Sequence, residues 1–154
     1  SERILHPVFR EFYSERDVVF EEVEKVLQLL AGKPVELQVV ETGTPRLHAS
    51  PQVLRVMVGN LLANACAFTE HGRIDVRIEP DRVVVHDSGI GMSPDTLQRA
   101  YEPFYRADPG NPASKGMGLS IVRRLGERFG WPVSLESAPG IGTTATIRFV
   151  DGVR

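Results

Sequence analysis

Between Val18 and Leu30 the apolar positions Val19, Phe20, Val23, Val26, Leu27 and Leu30 recur at steps of three and four, which predicts a helix with one buried face. Gly32 and Pro34 end it. Val35 to Val40 alternates apolar with polar residues, the period of a half-buried strand, and Thr42 to Pro45 supplies turn residues. Ser50-Pro51 reads as a helix start, because a serine oxygen can cap free amides and proline at the first helical position loses no needed donor. That helix is expected to run to about Phe68. Two strands, Arg73 to Glu79 and Arg82 to His86, follow as a hairpin around Pro80-Asp81. Beyond them lie a short helix over Pro94 to Ala100, a helix over Met117 to Phe129, and strands over Val133 to Ser137 and Thr143 to Val150 flanking the turn Pro139-Gly140. Leu119, Ile121, Val122, Leu125 and Phe129 are the core candidates of the helix that opens at Met117.

Helices and strands without regular βαβ alternation predict an α+β, two-layer sandwich: one mixed sheet with helices on a single face. Ser1 to Ser14 lacks a clear period and reads as a linker or the end of a preceding helix, leaving residues 15–154 as the domain. Asp108 to Lys115, rich in Pro, Gly, Asn and Ser, has the composition of a mobile loop.

Composition narrows the partners. At 42% hydrophobic and 25% charged residues the 154-residue chain fits one compact domain with a proper core. A net charge of -2, with Lys and Arg scattered along the chain, offers no footprint for nucleic acid, and no DNA or RNA partner is expected. Cys66 stands alone within an apolar run, so neither a disulfide framework nor a zinc site is expected, and the residue reads as a buried small hydrophobe. The apolar runs fall short of a membrane span. The expectation is a cytoplasmic piece that does not itself insert in a membrane and was cut from a membrane-anchored parent.

Four segments carry candidate chemistry. Asn60 and Asn64 share one helical face amid leucines and valines; they are either two surface asparagines or a site where Asn64 offers its amide oxygen to Mg2+, a hard ion that prefers oxygen. The buried run Val83 to Val85 leads into His86-Asp87-Ser88-Gly89-Ile90-Gly91-Met92, which puts a carboxylate at a strand end beside glycines that permit close approach of a ligand; an ordinary turn has the same form. A carboxylate there can accept from the exocyclic amine of adenine. Glu102-Pro103-Phe104-Tyr105-Arg106-Ala107-Asp108 precedes Lys115-Gly116-Met117-Gly118-Leu119-Ser120, where a helix start favours an anion, although a glycine-rich linker fits equally well. Gly140-Ile141-Gly142-Thr143-Thr144 turns into the last strand.

In this order the segments closely resemble the N box, glycine boxes and F box of sensor histidine kinases, over roughly Val18 to Val150. The resemblance implies the Bergerat ATP-binding fold shared by gyrase, the heat-shock chaperone ATPases, histidine kinases and MutL, with ATP and Mg2+ as cofactors. It implies that Asn64 ligates the metal, Asp87 reads adenine, and Gly89, Gly91, Gly116 and Gly118 shape the pocket and lid. Phe68 and Thr143 would lie near the base, Arg106 near the terminal phosphate, and Met92, Tyr105, Met117 and Leu119 along the bound nucleotide. Asn60 matches the position one helical turn before the metal ligand, where hydrolytic relatives carry a glutamate that activates water. A neutral amide cannot act as that base, which favours transfer to a histidine over hydrolysis.

Three positions depart from the family pattern: Ala67 replaces a phosphate-directed lysine, Ser114 replaces a lid glycine, and Gly130-Trp131 replaces a Gly-Gly pair. Lys115 could supply the missing charge, which makes Asn60, Arg106 and Lys115 the catalytic candidates. None of His6, His48, His71 and His86 has the surroundings of a phosphoacceptor, and Pro7 directly after His6 argues against the one placed near an acceptor helix. The implied reading is therefore the catalytic domain of a two-component kinase, acting on its own dimerisation and histidine phosphoacceptor domain, with a response regulator downstream. A nucleotide-binding pseudokinase module and an ATPase of the gyrase kind are the alternatives.

Overall fold

The amide of Ser14 donates to Asp17 Oδ2 at 2.9 Å, and this reciprocal cap starts the first helix, α1 (Glu15–Val26), three residues before the periodic stretch. We describe residues 14–47, 49–102 and 118–150 from a computed structural model of the chain. The apolar face of α1 buries Val18, Val19, Phe20, Val23 and Val26. A 3-10 turn over Leu27–Leu30 continues it, and the tighter winding rotates Leu27 out of the face, so that it is 46% exposed and is not the core residue its spacing predicts.

β1 (Val35–Glu41) follows, and then α2 (Pro51–Ala67), whose Ser50 side chain accepts from the Gln52 amide as the Ser-Pro pair predicts. β2 (Gly72–Glu79) and β3 (Arg82–Asp87) form the expected hairpin. Ser93 accepts from the Thr96 amide to start α3 (Pro94–Arg99), and α4 (Gly118–Phe129), β4 (Val133–Ala138) and β5 (Gly142–Arg148) complete the domain. The five strands lie in the order β1-β2-β3-β5-β4, with β1 parallel to β2 and every other pair antiparallel. The parallel pair requires a crossover, and α2 supplies it. The fold is the mixed α+β sandwich anticipated.

The period of two sorts the sheet into faces. Ile74, Val76, Ile78, Val83, Val85, Ala145 and Ile147 point into the core against Leu54, Met57, Val58, Leu61 and Leu62 of α2. Cys66 is fully buried there, as its setting predicts. The other face is polar. His86 Nδ1 meets Thr144 Oγ1 at 2.7 Å, and Glu79 pairs with Arg77 and Arg82, whose hydrogen bonds hold its carboxyl below the ordinary range.

Two further apolar positions, Phe129 and Val150, differ from the periodic reading. Phe129 is 36% exposed at the end of α4, because Trp131 occupies the core beneath it. The left-handed Gly130, φ 72°, turns the chain so that Trp131 packs edge-on against Phe149 with ring centroids 5.1 Å apart. The departure from a Gly-Gly pair is thus a core residue. β5 ends at Arg148, short of Val150, which is exposed.

Candidate functional site

The site begins at the end of α2. Lys33 Nζ donates to the carbonyls of Cys66 at 3.0 Å and Thr69 at 3.4 Å, closing the helix C-terminus with a cation. The Phe68 carbonyl accepts from the Ile90 amide at 3.1 Å, which ties this helix end to the loop after β3. Upstream on the same face, Asn60 Nδ2 donates to the Val56 carbonyl at 2.8 Å. Its Oδ1 lies beside α4, 3.0 Å from where a Cβ on Gly118 would stand. Asn64, one turn further on, lines the cavity described below and has no side-chain hydrogen bond among the described residues.

Asp87 ends β3 at 4% exposure. Its Oδ1 accepts from the Gly89 amide at 2.9 Å, and its carboxylate also accepts from the backbone amide of Thr143, its partner in the ladder. Burial pushes this carboxyl above its usual range, while the two amides and neighbouring His86 act in the opposite direction. Gly89 permits the close crossing of Phe68: a Cβ there would lie 2.1 Å from the Phe68 carbonyl oxygen. Gly91 adopts a left-handed φ of 71°, and a Cβ would lie 1.9 Å from the Ala138 carbonyl oxygen.

These elements enclose a cavity of about 290 Å³ lined by Asn64, Phe68, Ile90, Gly91, Met92, Ser93, Thr96, Pro139 and Thr143. The sequence candidates Asn64, Phe68, Gly91, Met92 and Thr143 therefore share one wall system, and Asp87 lies beneath it, bound to Thr143. The described lining residues carry no charge, and the phenyl ring, methionine and proline make it apolar with a few hydroxyls. This is a setting for a flat, neutral heterocycle, with hydrogen-bonding groups to orient it.

Other candidates fall elsewhere. Leu119 is 8% exposed and belongs to the hydrophobic core, and Gly118 meets Asn60 away from this cavity's lining. His86 sits on the polar sheet face with Thr144. Ala67 is buried at 5% exposure. Tyr105, Arg106, Ser114, Lys115, Gly116, Met117, His6 and His48 lie outside the described residues. Ser93, Thr96 and Pro139 were not anticipated, nor was Ser137, whose hydroxyl accepts from the Met92 amide at 2.8 Å and reaches Thr143 Oγ1 at 2.7 Å. Ser93 could have been found, since Ser93-Pro94 repeats the cap signal of Ser50-Pro51.

Residues 49–152 match the family model of histidine kinase-, DNA gyrase B- and HSP90-like ATPases. The chain belongs to this family. Within it, this ATPase-family domain is 32% identical over 136 residues to the sensor protein TorS of Escherichia coli, covering 82% of the chain and 15% of TorS. It spans about a sixth of the length of the curated relatives it matches. Among solved structures it resembles the mycobacterial sensor histidine kinase MprB, with a TM-score of 0.72 and 26% identity over 88% of this chain and 93% of that one. It also resembles full-length ShkA in complex with AMPPNP, with a TM-score of 0.73 and 26% identity over 84% of this chain and 28% of ShkA.

Proposed function

We propose that the domain binds Mg-ATP and passes its γ-phosphate to a histidine on a dimerisation and phosphoacceptor domain of a two-component kinase. One observation carries the reading: a buried carboxylate, oriented by the amides of Gly89 and Thr143, is bonded to the wall of a cavity whose described lining is uncharged and includes Asn64. Adenine fits that chemistry, since its ring is flat and neutral and its exocyclic amine donates to Asp87. The AMPPNP bound by the similar ShkA supports a nucleotide ligand.

Asn64 would hold Mg2+. A single amide oxygen suits an ion that keeps several waters and takes its remaining ligands from phosphate, and the ion would supply charge neutralisation of the phosphates. Asn60 cannot serve as a general base: its amide is neutral, and its nitrogen is engaged by Val56. The chain thus positions the nucleotide and leaves the nucleophile to an imidazole that carries its own lone pair. Arg106 would serve the terminal phosphate by the family pattern, and Lys115 would substitute for the phosphate-directed lysine that Ala67 replaces. The parent would be a membrane-anchored sensor with this domain in the cytoplasm and a response regulator downstream. No helix among the described residues is long and apolar enough to cross a membrane.

The test mixes the domain with γ-labelled Mg-ATP and the acceptor domain of its parent. Acid-labile, base-stable label on that domain is the expected result. Rapid phosphate release by the isolated domain would favour an ATPase, and firm nucleotide binding without transfer in the intact parent would favour a pseudokinase.

A further inference from the structure

Ser137, on β4, lies outside the lining of the cavity yet joins three of its supports. Its hydroxyl accepts from the Met92 amide at 2.8 Å, donates to the Gly142 carbonyl at 2.9 Å, and touches Thr143 Oγ1 at 2.7 Å. A serine hydroxyl has one proton and two acceptor lone pairs. The Gly142 carbonyl can only accept, so it takes the serine proton. The Met92 amide can only donate, so it takes one lone pair. The contact with Thr143 must then be made by the remaining lone pair, and the proton between the two hydroxyls belongs to Thr143.

From this count we propose that Ser137 is a positioning residue for base selection: it turns the Thr143 proton away from the cavity, so that Thr143 presents only acceptor lone pairs there. The inference rests on the adenine reading above. Thr143 lines the cavity, and its own backbone amide is already given to Asp87. The base-facing edge accordingly offers two kinds of acceptor, the Asp87 carboxylate and the Thr143 hydroxyl oxygen. A six-position amine, with two N–H groups, complements both. A six-position carbonyl complements neither, so the arrangement discriminates against hypoxanthine as well as favouring adenine.

The experiment is calorimetric titration of the chain with ADP and with IDP, for wild type, Ser137→Ala, Thr143→Val and the double variant. Without the serine, the Thr143 hydroxyl is free to rotate and donate. We expect Ser137→Ala to weaken ADP by roughly three- to tenfold while leaving IDP nearly unchanged, the scale of one hydrogen bond. The preference for ADP should narrow by the same factor. Thr143→Val should narrow it as well, and the double variant should be no worse than Thr143→Val alone, because Ser137 acts through Thr143.

A purely structural serine would weaken both nucleotides equally, and that result, or an unchanged ratio, overturns the proposal. Should Ser137→Ala fail to fold, Ser137→Cys, close in size but a poor acceptor, carries the same test of the ratio. Wild type that binds neither nucleotide would overturn the adenine reading itself, and that outcome is distinct from ADP binding with an unmoved preference.

Discussion

The backbone amide of Ile90 donates to the carbonyl of Phe68 at 3.1 Å, so the end of α2 and the loop after Asp87 are one construction. A ligand that meets the loop also meets the helix end. The carbonyls on either side of it in this helix end, those of Cys66 and Thr69, accept from Lys33 Nζ. Asn64 reaches the cavity from one turn before this joint, while Asn60 is turned toward α4.

That geometry separates the two asparagines. Asn64→Ala should weaken Mg-ADP by about tenfold or more, which corresponds to ~1.4 kcal/mol, while leaving metal-free ADP within a factor of about two. Calorimetry with and without Mg2+ reads the difference. An equal loss in both conditions would assign Asn64 to the base instead of the ion.

Asp87 gives a pH signature. Its carboxyl is raised from 3.8 in the folded protein, mainly by burial, so over the pH range between its unfolded and folded values the native state binds more protons than the unfolded one. The stability that the neutral form contributes is complete below 3.8 and is lost as pH rises through the higher folded value. Asp87→Asn removes this penalty. Without nucleotide, its melting temperature should gain on wild type as pH rises from about 3 toward 7, and ADP binding should vanish. A melting-temperature difference that stays constant with pH would contradict the account, as would retained ADP binding.

Two left-handed glycines should respond differently to alanine. Gly140, φ 77°, has open space where a Cβ would go, so Gly140→Ala carries only the backbone cost of about 1 kcal/mol. Gly91→Ala adds a collision with the Ala138 carbonyl oxygen, 1.9 Å from the new atom, and should cost about 3 kcal/mol or more. Urea denaturation midpoints would rank them. Gly91→Ala should also lose nucleotide affinity, because relieving the clash moves the cavity wall.

Burial pushes the Cys66 thiol up to about 11, so it stays protonated at neutral pH and is shielded from solvent. Iodoacetamide at pH 8 should leave the folded protein unlabelled and modify Cys66 only after denaturant is added. Prompt labelling of native protein, detected by mass spectrometry, would show that this part of α2 opens readily.

Much of this was legible in the sequence, for a physical reason in each case. Periodicity marks a face when the winding is constant, which is why Val19, Phe20, Val23 and Val26 are core residues and Leu27, after the switch to a tighter helix, is not. Asp87 and its glycines were visible because close backbone approach restricts residue type. Ser137 was hidden because its importance lies in neighbours brought by other strands and loops, and one serine in a strand has no local signature. Phe129 and Trp131 were equally ambiguous: both are large aromatics, and only the turn at Gly130 decides which one enters the core.

The absence of charge among the described residues around the cavity divides the labour of recognition. On the proposed reading, discrimination between purines would rest on shape and proton direction, which salt scarcely screens, whereas grip on a polyphosphate would depend on ions and cationic side chains. Raising ionic strength should therefore loosen the hold on triphosphate while sparing the choice of base, and a neutral purine mimic without any phosphate should still bind.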